Sequence, residues 1–291
     1  NRLGLYLAGG KAMASRKTPR EIEEYTDRYN LPVNVGSLQY ASRMSAKVDN
    51  AALQDGFQIY HHVFAFTADG SWAVVQQGMD QNSGWARRYH WLGDKIDTFI
   101  QEPHAAVCGK PADNVLNMVA GESLKARNTS LYLSGKPDEV VKTLKKIAGL
   151  PADRLRVLNL PRAHAVPGAG RIEKTLARLY DLKPSSYEDL LAVEGVGPAT
   201  VRAFALVAQV VYNAGASSKD PVRYSFAHGG KDGHPFPVNR QDYDRSIALL
   251  ENALRRVRIG DMSNVEAMKR LAAINSFLSK KQQIFKYCLN K

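Results

Sequence analysis

The second half of the fold is decided by the stretch Leu190-Leu191-Ala192-Val193-Glu194-Gly195-Val196-Gly197-Pro198-Ala199-Thr200. A leucine-containing segment runs into two glycines that flank one valine. A proline then opens an apolar, alanine-containing segment that continues to about Tyr212. Proline is well tolerated at the first position of a helix, where its missing N–H would have no partner. The pattern therefore predicts two helices joined by a Gly-Val-Gly turn, a helix-hairpin-helix motif over residues 185–213.

This motif is typical of proteins that hold a nucleic-acid backbone. Ser185 and Glu188 fit a capping box that starts its first helix. The glycines let main chain approach a phosphate closely, and the second helix offers free N–H groups and the positive end of its dipole. The alternative is a tight turn with a glycine cap that packs for structure only. We predict DNA contact through Gly195, Val196, Gly197, Ala199 and Thr200.

The overall charge favours a polyanionic partner. The 291 residues carry a formal net charge of +12, which favours DNA, double- or single-stranded and bound independently of its sequence. The two cysteines, Cys108 and Cys288, exclude a disulfide scaffold and a zinc finger and favour a reducing, cytoplasmic location. No apolar run reaches about 18 residues, so we expect no membrane partner. Asn1 is not an initiator methionine, and we expect further residues upstream.

The first half of the chain predicts both helices and strands. Thr18 and Pro19 open a helix that stops near Asn30, and Ala41 to Asp55 has the pattern of a second helix. One polar stripe of that second helix either faces water or lines a site: Arg43, Lys47, Asn50 and Gln54. We assign Arg43 and Lys47 to DNA binding.

A β-hairpin follows, with strands over residues 58–66 and 72–79 joined at Asp69-Gly70. A two-residue turn at that dipeptide places His62 opposite Gln77 on one face. Because neighbouring residues of a strand point to opposite faces, His61 points to the other side. His62 is therefore either a site residue beside Gln77 or a partly buried histidine with its hydrogen bonds satisfied.

Helical spacing dominates after about residue 111. We predict helices over residues 114–122, 137–148, 171–182, 242–257 and 262–288, with a loop over 214–240. The fold class is therefore α+β. A mixed α/β domain over residues 1–105 is predicted to hold an active-site cluster, and a mainly helical domain over 106–291 is predicted to carry the motif.

Residues 40–104 are dense in groups that act on phosphates. Arginine binds phosphate oxygens in a bidentate manner, and histidine transfers protons near neutral pH. We predict a catalytic cluster that comprises His62, Gln77, Arg87, Arg88 and His90. No two-metal nuclease pattern of acidic residues is present, so a divalent metal is left open.

A second polar cluster follows the motif, over residues 220–235. Asp220, Lys231 and Asp232 lie there among glycines and prolines. Such a segment is either a contact loop or a solvated connection. We assign Lys231 to DNA binding and Asp220 to the candidate catalytic residues.

Residues 187–220 resemble the helix-hairpin-helix DNA glycosylases of the endonuclease III-like superfamily. In those enzymes a catalytic Asp follows the hairpin by about twenty residues, and the resemblance implies that role for Asp220. Bifunctional members carry a Lys just after the hairpin, where this chain has Ala199, which argues against a Schiff-base lyase. No cysteine quartet follows, so no iron–sulfur cluster is expected.

Nearly the whole chain resembles the family known as domain of unknown function 763, found in archaea and some thermophilic bacteria. The resemblance rests on motifs such as Ser15-Arg16-Lys17-Thr18-Pro19, Tyr60-His61-His62, Val75-Gln76-Gln77-Gly78-Met79 and Ala86-Arg87-Arg88-Tyr89-His90-Trp91. It implies that the two polar clusters belong to one architecture, but it supplies no mechanism.

Together these patterns predict a DNA-processing enzyme of repair that cleaves the phosphodiester backbone. His62 or His90 would act as acid or base, and the arginines would stabilise charge on the phosphate. One alternative is a glycosylase that uses Asp220 or Asp232 and flips a damaged base into a pocket. The other is a DNA-binding protein without chemistry. The substrate structure and the oligomeric state stay open.

Overall fold

The computed structural model describes residues 4–80, 84–113, 115–149 and 168–222, with a few positions between 241 and 252. Lys231, Asp232, the predicted helix over 262–288 and most of the one over 242–257 lie outside the described residues. The chain forms two compact units, one of Tyr6–Ser225 and one of Asn1–Leu5 with Phe226–Lys291.

The fold class is α+β, as predicted. The unit Tyr6–Ser225 holds one large hydrophobic core that draws fully buried side chains from both sides of residue 105, among them Phe64 and Leu206. The predicted domain boundary at residue 105 therefore falls within a compact unit instead of between two.

The sheet has five strands in the order β1-β3-β4-β5-β6, and β3 to β6 pair antiparallel with their neighbours. A separate two-stranded ribbon pairs β2 with β7. The strands are β1 (Leu5–Lys11), β2 (Leu53–Gln54), β3 (Gln58–Thr67), β4 (Trp72–Met79), β5 (Ala86–Leu92), β6 (Ala106–Cys108) and β7 (Leu116–Asn117).

The loop between β3 and β4 differs from the predicted two-residue turn. Thr67 N–H donates to the Ser71 carbonyl, so the turn spans Ala68, Asp69 and Gly70, with Gly70 in the left-handed region at φ +86°. His62 consequently pairs with Gln76, and the predicted pairing with Gln77 is wrong. A shift of one residue moves Gln77 to the opposite face of the sheet.

Seven α-helices occur within the described residues of this unit. They are α1 (Thr18–Tyr29), α2 (Val35–Lys47), α3 (Leu124–Ser134), α4 (Pro137–Ala148), α5 (Ala169–Leu182), α6 (Tyr187–Ala192) and α7 (Pro198–Tyr212). The predictions over residues 137–148 and 198–212 are confirmed at both ends, and the helix expected over 171–182 starts two residues earlier.

Three helix predictions need correction. The Asn34 side chain accepts from Ser37 N–H, so α2 starts at Val35 instead of Ala41, and after Lys47 it continues as the π-helical turn Val48–Ala52. Residues 115–122 hold β7 and a short 3-10 turn instead of a helix, because this segment pairs with β2. The N-cap residue of α6 is Ser186, whose hydroxyl accepts a hydrogen bond from Asp189 N–H. The predicted N-cap residue, Ser185, lies one residue earlier in the chain.

The two faces of the sheet differ in environment. Phe64, Val74 and Trp91 point inward and are fully buried, in one core with residues of α2 and the π-helical turn. Val75 and Met79 point outward and remain 41% exposed. Strand alternation therefore divides neighbouring residues between a sealed interior and an open face.

We expect the β3–β4 loop to depend on backbone conformation at Gly70, since no atom lies within 4 Å of a Cβ built there. Gly70→Val places a branched residue at positive φ and is expected to lower the free energy of unfolding by about 1–2 kcal/mol. Gly70→Asn is expected to lower it less, because Asn tolerates this region. Urea denaturation measures the free energy of unfolding of both variants. Equal losses in the two would contradict the conclusion that the positive φ of Gly70 determines the effect.

Candidate functional site

The predicted hairpin is formed by residues 193–197, called the hairpin loop below, between α6 and α7. Gly195 adopts φ +93°, which favours glycine. Val196 N–H donates to the Val193 carbonyl and closes the turn, while the Val196 side chain is buried in the core. Glu194 and Gly195 are exposed, so the main chain of the loop lies at the surface.

Main-chain N–H groups are available where the loop enters α7. Gly197 is the N-cap residue, and Val201 N–H makes the first hydrogen bond of the helix, to the Gly197 carbonyl at 3.1 Å. For the N–H groups of Gly195, Gly197 and Ala199, no acceptor occurs among the described residues. Gly197 and Ala199 are partly exposed, whereas Thr200, also predicted to bind DNA, is buried.

Two residues of the predicted polar stripe, Lys47 at the end of α2 and Gln54 of β2, contact this loop and the start of α7. Lys47 Nζ donates to the Val193 carbonyl at 3.2 Å, and Gln54 Nε2 donates to the Pro198 carbonyl at 3.0 Å. Arg202 of α7 donates to Gln54 Oε1 at 2.8 Å. Arg43 is exposed, about one turn before Lys47 on the same helix. Two regions that are about 150 residues apart therefore form one surface.

Cations beside the loop have few carboxylate partners. In the part of the chain described, neither Lys47 nor Arg202 forms an ion pair, and the buried Arg202 Nε has no hydrogen-bond partner. Burial lowers the pKa of Lys47, and burial together with Arg171 lowers the pKa of Arg202. The exposed carboxylate of Glu194 is bound by Arg178 at 2.9 Å. This surface therefore suits an anion.

The structure places His62 inside the molecule. It is 3% exposed, its Nε2 lies 3.0 Å from Ser42 Oγ, and its Nδ1 lies 3.0 Å from Gln76 Oε1. Burial lowers the pKa of His62. Because both ring nitrogens have partners, the geometry is that of a structural histidine, the second of the two sequence interpretations.

Arg87 and Asp220 are brought together, but in a closed ion pair. Arg87 is fully buried and donates to Asp220 through both terminal nitrogens, at 3.2 and 2.7 Å, and to Asp55 at 2.7 Å. Asp220 also accepts from the N–H groups of Ala112 and Val222. With its two oxygens accepting four hydrogen bonds, Asp220 acts as an anchor for the segment that follows α7.

Gln77, Arg88 and His90 share the open face of the sheet. Gln77 pairs with Arg88 across β4 and β5, and His90 follows two residues along β5. Burial and the charge of Arg88 lower the pKa of His90, which favours its neutral form. The predicted catalytic cluster is therefore divided, with His62 and Arg87 inside and these three residues outside.

A cleft that sequence reasoning missed lies beside the Arg87–Asp220 pair. It has a volume of about 330 Å³ and is lined by Glu102, His104, Asn117, Glu122, Ser217 and residues 219–222. His104 Nε2 contacts the carboxylate of Asp49, a fully buried residue of the π-helical turn. The only sequence signal was the number of histidines before residue 105, since nothing local connects residue 49 with residue 104.

Metal and membrane sites have no support within the described residues. No group of three His, Cys, Asp or Glu side chains there could hold a metal ion. No helix in that part of the chain is long and apolar enough to cross a bilayer.

Comparison with known proteins gives one result. A family model described as "Protein of unknown function (DUF763)" matches residues 1–238. No curated protein and no solved structure matches the chain.

We expect the two neighbouring arginines of β5 to differ sharply in their effect on stability. Arg87→Ala leaves Asp55 and Asp220 without their counter-charge and should lower the free energy of unfolding by about 3–5 kcal/mol. Arg88→Ala, on the open face, should change it by about 0.5 kcal/mol or less. Urea denaturation of both variants measures the difference, and similar losses would contradict a structural role specific to Arg87.

Proposed function

Since the chain belongs to the DUF763 family, whose description gives no activity, we propose from the geometry that it binds the sugar–phosphate backbone of DNA at the hairpin loop. One observation carries this proposal: the N–H groups of Gly195, Gly197 and Ala199 have no acceptor among the described residues, in the loop before a 15-residue helix and at its partly exposed start. Lys47 and Arg202 lie beside them.

The physical argument combines three contributions to anion binding. The start of a helix presents N–H groups and a partial positive charge, which attract a phosphate. Lys47 and Arg202 form no ion pair among the described residues, so their charges add Coulomb attraction for a ligand, with the charge of Glu194 acting on Lys47 in addition. The net charge of +12 favours association with a polyanion over the whole surface. Contacts of this kind position a backbone and read no sequence.

A purely structural turn explains less of this geometry. Every α-helix leaves its first N–H groups without an intrahelical partner, so these groups alone do not distinguish the two interpretations. A turn that only connects two packed helices does, however, need neither the cations Lys47 and Arg202 beside these groups nor open space above them. A Cβ built at Gly197 would meet no atom within 4 Å, so the space beside this N–H is open.

For the reaction, we keep the proposal of a DNA-processing enzyme that acts in repair. Phosphodiester cleavage would have to use His90 as the base and Arg88 to stabilise charge, since these two share an accessible face. Asp220 is a poor catalytic carboxylate because Arg87 and two N–H groups occupy its oxygens. A protein that binds DNA without chemistry would show the same hairpin and no product.

Substitution of Gly197 tests the hairpin directly. Its φ of −138° is accessible to any residue, and both Asp and Asn are good N-cap residues. Gly197→Asp adds a negative charge where the phosphate is proposed to bind, and it should weaken DNA binding about tenfold or more. Gly197→Asn, of nearly equal size, should weaken binding less. Fluorescence anisotropy with a labelled duplex measures both, and equal affinities for all three proteins would contradict the proposal.

The salt dependence of binding tests the cations of α2. The slope of log K against log salt should fall by about 0.9 for each phosphate contact that is lost on duplex DNA. Arg43→Gln and Lys47→Gln should each reduce this slope. Arg20→Gln on α1 removes the same charge from an exposed side chain outside the surface and serves as the control. A reduction of equal size in the control would indicate a general charge effect only.

Cleavage is tested on a panel of labelled duplex, flapped and single-stranded DNA, with EDTA and with divalent ions. Direct strand breaks that disappear in His90→Ala, while DNA binding persists, would support phosphodiester cleavage at the open face of the sheet. Direct breaks that persist in this variant would contradict the role of His90.

A further inference from the structure

The cleft beside the Arg87–Asp220 pair contains a histidine in an unusual environment. The His104 side chain is 5% exposed, its Nε2 contacts Asp49 Oδ1, and the residue lines the cleft. Its Nδ1 has no hydrogen-bond partner among the residues that the structure describes. One nitrogen is therefore held by a carboxylate, and the other is available to a ligand.

The surroundings fix the orientation of this ring. Asp49 is fully buried and also accepts from Trp91 Nε1 at 2.9 Å and from Gln76 Nε2. The indole of Trp91 packs edge-on against the imidazole, with ring centroids 4.7 Å apart. A carboxylate on Nε2 selects the tautomer in which Nε2 carries the proton, so Nδ1 is an acceptor. A base oriented by a third group in this way is a recurrent catalytic arrangement.

We propose that this cleft is a hydrolytic site in which His104 is the general base and Asp49 is its positioning residue. A water molecule in the cleft loses a proton to His104 Nδ1 as its oxygen bonds to the electrophilic carbon. The imidazolium that forms is stabilised by Asp49. The leaving group departs with the electron pair of the broken bond and receives a proton from the imidazolium, which restores the neutral base.

The charges of the cleft favour an N-glycosidic bond over a phosphodiester. Carboxylates at the wall belong to Glu102, Glu122 and Asp220. Lys219 is paired with Glu122, and the single charge of Arg87 is shared between Asp55 and Asp220, so negative charge exceeds positive charge beside the cleft. Such a wall repels a phosphate and stabilises a sugar that becomes cation-like as its base departs. Glu102 is held at φ +45°, an uncommon conformation for a residue with a side chain.

The size of the cleft suits one nucleoside. A volume of about 330 Å³ is at the lower end of the range for small-molecule sites. The substrate class is therefore a nucleotide turned out of a DNA strand, with a damaged or mispaired base as the leaving group. This assignment of substrate rests on the proposed DNA binding at the hairpin loop, which lies at the opposite end of α7 from residues 217–222.

The test uses the full chain and duplexes that each contain one uracil, hypoxanthine, 8-oxoguanine or methylated adenine, together with the corresponding free nucleosides. Base release is followed as alkali-dependent strand breaks and by chromatography of the free base. We expect release by the parent protein and a loss of about 10²-fold or more in His104→Gln. His61→Gln, the same change on the open face of the sheet, should retain activity.

Separate readouts distinguish the two proposals. His104→Gln should bind DNA as the parent protein does, which also shows that it is folded, whereas Gly197→Asp should lose binding. Asp49→Asn should lower kcat more than it raises KM and should shift the acidic limb of the pH–rate profile, which a purely structural role would not do. If the parent protein binds DNA and releases no base from any duplex or nucleoside, the cleft proposal is overturned and DNA binding stands. If free nucleosides are hydrolysed without DNA binding, the hairpin proposal fails instead.

Discussion

The buried guanidinium of Arg87 is the constraint on which the rest of this unit depends. It joins Asp55, which precedes β3, to Asp220, which follows α7, and it also donates to the Lys110 carbonyl. A charge without solvent requires such partners, since an unpaired buried ion is far more costly than the loss of a surface pair. Arg87 therefore fixes where the segment after α7 meets the sheet, and with it one wall of the cleft.

A second buried chain of polar groups connects the helical layer to the sheet. It runs from Ser42 through His62 and Gln76 to Asp49, and from Asp49 to His104. Each residue has a partner within this network, which stabilises polar groups inside a core, and His104 Nδ1, at the cleft, is the nitrogen without one among the described residues. The π-helical turn after α2 places Asp49 within this network, and such turns are frequent at functional sites.

The two proposed sites use the two ends of one helix. The hairpin loop lies at the start of α7, and the cleft is lined by the segment after its end. The 15 residues of α7 separate the ends by about 22 Å, at about 1.5 Å per residue. When a DNA backbone is bound at the hairpin loop, several nucleotides along the strand remain free to reach the cleft. A rigid, largely buried helix is suited to keep that separation constant.

The sequence by itself determined the features with local causes. Pro198 and the glycines before it specified the start of α7, and the alternation of residues in β3 and β4 specified two strands and their faces. Contacts between distant residues were decided by the tertiary structure alone. The β3–β4 turn is one residue longer than predicted and aligns His62 with Gln76. The buried Arg87 forms an ion pair with Asp220, which is 133 residues away in the chain. Nothing near residue 49 in the chain indicates that its carboxylate meets His104. Local patterns are set by backbone geometry over a few residues, whereas the partner of a buried charge is set by which segments the core brings together.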